Sequence, residues 1–164
     1  AGEIHRTAQT GAGLELEFEP ESIEQSVSKE SIDLFVCGSH MSGLSLNGQL
    51  TEMGAEFLRR VETAPHYRMF VLSPTESIPI RPGLVRCPEE TVSFPGELWK
   101  IPLKNLGAFM LKIRFPLGIS QVQLKNGEME YGFCCDPSGV ESESEITDFG
   151  GWRSYLAEDK KNPR

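Results

Sequence analysis

The sequence of 164 residues lacks basic clusters and long apolar runs. It carries 24 acidic and 16 basic side chains, a formal net charge of −8, and its only adjacent basic pairs are Arg59-Arg60 and Lys160-Lys161. Because phosphate backbones are bound by clustered lysine and arginine, nucleic acid is not an expected partner. No apolar stretch approaches the roughly 18 residues of a membrane span, so no membrane partner is expected either.

Cysteine is scarce, and its spacing does not fit the usual cysteine sites. Cys37, Cys87, Cys134 and Cys135 form no C-x-x-C pair, and neighbours in a strand point to opposite faces. We therefore expect no disulfide scaffold and no metal site, and predict buried thiols in a reducing, cytoplasmic compartment. Phosphate-binding loops, G-x-S-x-G and dinucleotide fingerprints are also absent, so no cofactor is expected.

The net charge is distributed unevenly along the chain. Residues 1–32 hold seven acids and two bases (net −5), and residues 33–124 hold eight acids and nine bases (net +1). Residues 125–164 hold nine acids and five bases (net −4). An anionic ligand would be poorly served by an acidic centre, so the near-neutral middle is the better place for an anion site.

The same division predicts the domain organisation. We interpret residues 1–31 as an acidic linker or N-terminal extension, because like-charged segments with little apolar content order poorly. Within them the alternating Leu14–Glu19 predicts one strand. Residues 32–157 are expected to form one domain, and residues 158–164 a charged tail. The start at Ala1 rather than Met also fits a piece of a longer protein, or a processed start.

Short apolar patterns with many turn residues predict an α+β domain, a small mixed sheet or barrel with two to three helices. The predicted strands are Ile32–Cys37, Tyr67–Leu72, Leu84–Cys87 and Glu97–Ile101, with a hairpin of Gln121–Leu124 and Glu130–Cys135 around Asn126-Gly127. The predicted helices are Gly48–Glu62, Leu103–Ile113 and a short terminal one around Trp152–Leu156.

The first candidate site is the small-residue loop after the first strand, Gly38-Ser39-His40-Met41-Ser42-Gly43. Glycines allow close approach of the backbone to a ligand, and successive N–H groups in such a turn form a nest for an anion. His40 would stand beside this nest, able to donate a proton near neutral pH. A purely structural turn is the alternative.

Two further candidates carry charge. Glu97 shares one face of its strand with Trp99, so it points inward if Trp99 does, whereas an exposed edge position is the alternative. Arg153, after the paired glycines Gly150-Gly151, has the planar guanidinium that binds carboxylates in a bidentate way. Its alternative is a salt bridge to the acidic run Glu141–Glu145.

Three stretches together resemble the C-terminal domain of allophanate hydrolases. Residues 38–50 (GSHMSGLSLNGQL) resemble its G-A-H-L-S-G-x-P-L-N-x-Q-L motif, with mild departures at Ser39, Met41 and Ser45. The other two stretches are TAPHYR with the following PGLV, and ITDFGGWRSYL near the end. The resemblance covers about residues 32–157, in order and with matching spacing.

The resemblance implies a fold similar to γ-glutamyl cyclotransferases, with the substrate loop after the first strand. It also implies an amidase-signature domain in the parent chain, whose product, N-carboxycarbamate, this domain converts to carbon dioxide and ammonia. On this interpretation His40 is the catalytic residue and donates to the small dicarboxylate. The binding residues would be Gly38, Ser39, Met41 and Gly43, with Tyr67, Glu97 and Arg153 around them.

Two other functions stay open. A γ-glutamyl cyclotransferase needs a general-base glutamate in the stretch that here is Leu103–Phe115, which holds no acid, unless Glu97 substitutes. A catalytically silent module that assembles the parent amidase is the other alternative. A homodimer is left open as well.

Overall fold

A computed structural model describes residues 30–161, within which the chain forms seven strands and three α-helices. The strands are β1 Ser31–Val36, β2 Glu56–Glu62, β3 Tyr67–Leu72, β4 Arg81–Arg86, β5 Pro95–Pro102, β6 Leu117–Gln123 and β7 Met129–Cys135. The helices are α1 Asn47–Glu52, α2 Leu103–Met110 and α3 Trp152–Lys161, with 3₁₀ turns at Pro137–Gly139, Ser142–Ser144 and Thr147–Phe149. In this part of the chain no helix has the length and apolar character needed to cross a bilayer. The strand predicted at Leu14–Glu19 lies outside the described residues.

The main sheet is mixed, as the sequence predicts. Its strand order is β2-β5-β1-β7-β6, with β1 antiparallel to β5 and parallel to β7, while β3 and β4 form a separate antiparallel pair. The outer strands approach at one point, where Thr63 bridges Leu124 and the Lys125 N–H donates to the Glu62 carbonyl at 2.9 Å. The ladder does not continue beyond this bridge, so of the two predicted forms the open sheet is present and the closed barrel is not.

β1 is the centre of the core because it is paired on both sides and covered on both faces. Leu34, Phe35 and Val36 are each at most 1% exposed, which explains the continuous apolar run at the end of this strand. Trp152 at the start of α3 and Phe109 in α2 pack into the same cluster. Burying each such large side chain stabilises the fold by roughly 1.5–3 kcal/mol, and anchors both helices to the sheet.

Of the helix predicted over Gly48–Glu62, only the part up to Glu52 is helical, and the rest of the prediction is wrong. α1 ends at Glu52, and the chain turns at Gly54, whose φ of +80° is a left-handed conformation that a helix does not contain. The following residues form the edge strand β2, where Phe57 and Leu58 remain 47% and 39% exposed. The helical spacing misled because these two apolar side chains do not face the core.

The other elements are confirmed, with shifted ends. β4 begins at Arg81, three residues before the predicted Leu84, and the hairpin turns at Gly127 with φ +89°. α2 stops at Met110 instead of Ile113, and the terminal helix continues to Lys161. The earlier start of β4 draws Arg81 out of the predicted loop and into the β3–β4 pair.

Candidate functional site

The loop that follows β1 packs directly against the start of β4. A Cβ atom on Gly38 would lie 2.4 Å from Cγ of Pro82, so only glycine permits this approach. The Met41 N–H donates to the Gly38 carbonyl at 3.0 Å, which closes the first turn of the loop. Ser39 is 3% exposed, and its hydroxyl donates to the Ile80 carbonyl at 3.4 Å. These contacts bring the loop next to Arg81.

His40 is held in a fixed orientation. Its ring stacks on Phe133 with centroids 4.9 Å apart and 6° between the planes, and meets the edge of Phe109 at 5.6 Å. Its Nε2 lies 3.0 Å from Oε1 of Gln49, and its carbonyl accepts from Nδ2 of Asn47 at 2.9 Å. Because an amide oxygen can only accept, Nε2 carries the hydrogen, and Nδ1 is the nitrogen that gains and loses a proton.

Burial lowers the pKa of His40 from its usual 6.5, and the hydrogen bond to Gln49 offsets this only in part. The ring is therefore neutral at pH 7. A bound anion would raise the pKa of His40 again, because a nearby negative charge favours the imidazolium. His40 is thus placed to take up a proton when an anion arrives.

His40 borders a partly open cavity of about 80 Å³, which we call the histidine cavity. Its lining holds three cationic residues and no carboxylate, and is formed by His40, Leu46, Gln49, Ser77, Ile78, Arg81, Phe109, Lys112, Ile113, Arg114, Leu117 and Phe133. A separate, smaller cavity of about 30 Å³ is lined in part by Gly38 and Ser39, and it shares His40 and Arg81 with the first. This part of the molecule therefore has the charge and the size for a small anion.

Arg81 is the feature that sequence reasoning missed. Arg81 is only 7% exposed, and its Nη1 has no hydrogen-bond partner among the described residues. Burial lowers the pKa of this guanidinium, although an arginine stays cationic at any ordinary pH. The available signal was its place immediately before Pro82-Gly83, one of the stretches that resemble the family motif.

Glu97 lies on the other side of the loop and is inward-facing, as its shared face with Trp99 predicts. It is 3% exposed, and Oε2 accepts from the Ser42 N–H at 2.8 Å, the Ser42 hydroxyl at 2.9 Å and Trp99 Nε1 at 3.0 Å. Arg153 lies 3.3 Å from Oε1 and also donates to the Ser42 carbonyl at 2.7 Å. Arg153 therefore pairs with Glu97, and not with the acidic run Glu141–Glu145.

The electrostatics of Glu97 follow from these contacts. Burial alone would raise the pKa of its carboxyl, but the hydrogen bonds from Ser42 and Trp99 and the charge of Arg153 outweigh burial and lower the pKa. The carboxylate is ionised and supplied with donors from its own chain. Such a group holds the loop in place and has little capacity left to bind a substrate.

Met41, Glu97 and Arg153 line a second, larger space of about 690 Å³, which we call the open cleft. Its cations are Arg59, Arg60, Lys125 and Arg153, and its acids are Glu62 and Glu97. Three of these cations have carboxylate partners, since Arg59 pairs with Glu128, Lys125 with Glu62 and Arg153 with Glu97. The open cleft is thus largely neutralised, unlike the histidine cavity.

The predicted site residues therefore separate into groups. Gly38 and Ser39 line the smaller cavity and His40 lines both it and the histidine cavity, whereas Met41, Glu97 and Arg153 lie at the open cleft. Gly43 is exposed and lines neither space.

Two details of the predicted site are wrong. Tyr67 is 1% exposed, and its hydroxyl accepts from the Gln123 N–H at 2.8 Å, so it does not lie at a rim. The predicted anion nest also does not include Met41, because its N–H is bonded to the Gly38 carbonyl, and the Ser42 N–H is bonded to Glu97. In residues 30–161 no three His, Cys, Asp or Glu side chains converge as metal ligands would.

Comparison with known proteins agrees with the motif pattern. The model of the family "Allophanate hydrolase C-terminal domain" matches residues 32–157. The urea amidolyase of Lachancea kluyveri is 35% identical over 131 residues, which are 78% of this chain but only 7% of that protein. The allophanate hydrolase of Kluyveromyces lactis superposes with a TM-score of 0.73 and 30% identity, over 78% of this chain and 21% of that one.

A γ-glutamyl cyclotransferase structure superposes with a TM-score of 0.51 and 15% identity, over 68% of this chain and 69% of that one. At this identity the similarity concerns the fold alone. The cyclotransferase-like fold that the sequence predicts is confirmed.

Proposed function

Because the chain belongs to the allophanate hydrolase C-terminal domain family, we propose that it acts on N-carboxycarbamate and releases carbon dioxide and ammonia. The observation that carries this proposal is the histidine cavity, where His40 adjoins three cations and no carboxylate. N-carboxycarbamate is a small dianion, so it matches the cavity in charge and in size. The reaction would be a step in the degradation of urea through allophanate.

The chemistry requires little more than charge stabilisation and one proton. Cleavage of one C–N bond in the dianion releases carbon dioxide, and the electron pair of that bond stays on nitrogen. A proton delivered to this nitrogen gives carbamate, which takes up a second proton and separates into ammonia and carbon dioxide. His40 would deliver the first proton through Nδ1, a contribution typically worth about 10²- to 10⁴-fold in rate.

The proposed partners follow from the relatives. This chain spans about a fifth or less of the allophanate hydrolase and urea amidolyase it matches. We propose that it works with an amidase domain, which supplies N-carboxycarbamate, in the same polypeptide. A cytoplasmic location fits the four free thiols, and burial raises the pKa of Cys37 to about 12, so this thiol stays protonated. The homodimer remains a prediction.

The test supplies allophanate and a separately produced amidase domain, with this chain added in trans. We expect faster ammonia release than from spontaneous decomposition of N-carboxycarbamate, and its loss in His40→Ala. The matched control is His66→Ala, since the ring Nδ1 of this histidine lies 3.1 Å from the Pro88 carbonyl and the residue does not line the cavity. Unchanged ammonia release would favour the silent assembly module, and pyroglutamate release from a γ-glutamyl amine would favour a cyclotransferase.

A further inference from the structure

The cationic groups of the histidine cavity differ in depth. Arg81 is 7% exposed, whereas Lys112 and Arg114 are exposed, so one positive charge lies inside and two lie at the mouth. The inner charge is held in place by the contact of Pro82 with Gly38, which brings β4 against the loop. Its Nη1 has no hydrogen-bond partner in the part of the chain that the structure describes.

We infer that the Arg81 guanidinium binds one carboxylate of a compact dicarboxylate in the histidine cavity, while Lys112 and Arg114 attract the second carboxylate at the mouth. A buried cation without a hydrogen-bond partner is unfavourable until an anion joins it. The guanidinium fork matches a planar carboxylate better than an ammonium would. This inference rests on the proposed function, since it names the residue that recognises the substrate beside His40.

The size of the cavity sets the class of ligand. About 80 Å³ is well above the roughly 10–15 Å³ that one water molecule needs, so the cavity has room for a compact ion. A two-carboxylate ion joined by a single atom is of this order, whereas a γ-glutamyl amine is far larger. Arg81 would therefore select short dicarboxylates, in which one carboxylate reaches the inner guanidinium and the other stays near the mouth.

The experiment measures malonate binding by calorimetry on the full chain, because malonate replaces the nitrogen of N-carboxycarbamate with carbon and does not decompose in the same way. We expect Arg81→Leu to weaken malonate binding by roughly 10- to 100-fold, the loss of a charge-assisted hydrogen bond. Arg81→Lys keeps the charge without the planar guanidinium, so its affinity for malonate should lie between those of the parent chain and Arg81→Leu. Arg60→Leu removes the same charge from the open cleft and should bind malonate like the parent chain.

The inference is overturned if folded Arg81→Leu binds malonate as the parent does, or if Arg60→Leu loses as much affinity. It is also overturned if the parent chain does not bind malonate. Should Arg81→Leu not fold, an Arg81→Lys variant that binds malonate as tightly as the parent chain would contradict the inference. His40→Ala separates the two proposals. If this variant binds malonate and keeps full turnover, only the role of His40 is contradicted. If it loses turnover while the Arg81 variants bind malonate like the parent chain, only the inference about Arg81 is contradicted.

Discussion

The two sides of the loop after β1 each contain an arginine, but the two arginines are in opposite states. On one side Arg153 meets the carboxylate of Glu97 and the carbonyl of Ser42. On the other side Arg81 is buried in a cavity lined by no carboxylate, and its Nη1 is unpartnered among the described residues. Within residues 30–161 the protein thus supplies its own anion to one side of the loop and none to the other.

This difference separates a structural role from a binding role. Glu97 ties the loop to β5 and, through Arg153, to α3, so it fixes where the loop lies. Arg81 and His40 hold less favourable states, a buried cation and a neutral imidazole, that an anionic ligand would relieve. Proteins commonly carry such destabilised groups where ligands bind, at a cost in stability.

The largest expected effect comes from removing the internal anion. Glu97→Ala leaves the Ser42 N–H and Trp99 Nε1 without their acceptor, and we expect it to lower the free energy of unfolding by about 4 kcal/mol. Urea denaturation measures this loss. The control is Glu62→Ala, whose exposed ion pair with Lys125 is worth at most about 1 kcal/mol. Equal losses in the two variants would show that Glu97 does not hold the loop.

A steric change at the loop should have a smaller effect. Gly38→Ala places a Cβ atom 2.4 Å from Cγ of Pro82, and we expect it to lower the free energy of unfolding by about 2 kcal/mol. It should also lower malonate affinity, because the loop and Arg81 are pushed apart. Gly107→Ala is the matched control: this helical glycine has no atom within 4 Å of the added Cβ, so about 1 kcal/mol of stabilisation is expected. If Gly38→Ala left the free energy of unfolding unchanged, the loop would be free to move away from Pro82.

The sign of the stability change should reverse at the other arginine. Arg81→Leu removes a buried charge, and we expect it to raise the free energy of unfolding by about 1 kcal/mol without ligand, even as it weakens malonate binding. Urea denaturation at pH 7, with and without malonate, measures both effects. A loss of stability from Arg81→Leu in the absence of ligand would mean that its guanidinium is a structural group, and that the two sides of the loop are alike.

The sequence could place the loop and the direction of Glu97 because both follow from local rules. A buried strand that runs into small residues predicts a loop, and the two-residue period of a strand puts Glu97 on the face of Trp99. The partners of Glu97 could not be predicted, since Ser42 and Arg153 are 55 and 56 residues away in sequence. Such contacts depend on how the strands are ordered in the sheet.

The depth of Arg81 could not be predicted for a related reason. In the sequence it is one arginine next to a proline-rich loop, with no periodic pattern around it. Its depth is set by the pairing of β4 with β3, in which Arg81 lies opposite Leu72, and by the contact of its neighbour Pro82 with Gly38. The same limitation explains the wrong prediction of a helix over Gly48–Glu62. Periodicity shows where apolar residues recur in the sequence, but not which of them become buried in the folded protein.

The smallest expected effect is a pH dependence that differs between the two sides of the loop. Burial lowers the pKa of His40 below 6.5, so as pH falls the unfolded chain takes up this proton first and the folded state loses stability below pH 6.5. The pKa of Glu97 is lowered from 4.5, so its stabilisation is complete above that value and disappears only as pH falls through the lowered pKa.

Urea denaturation between pH 7.5 and pH 5 should therefore show a free energy of unfolding that falls with pH in the parent chain. His40→Phe should reduce this slope, while Glu97→Gln leaves it in place. Malonate should flatten the same slope, because a dianion beside Arg81 and His40 favours the imidazolium and raises its pKa. A slope that persists in His40→Phe, or that malonate does not change, would place the titrating group outside the histidine cavity.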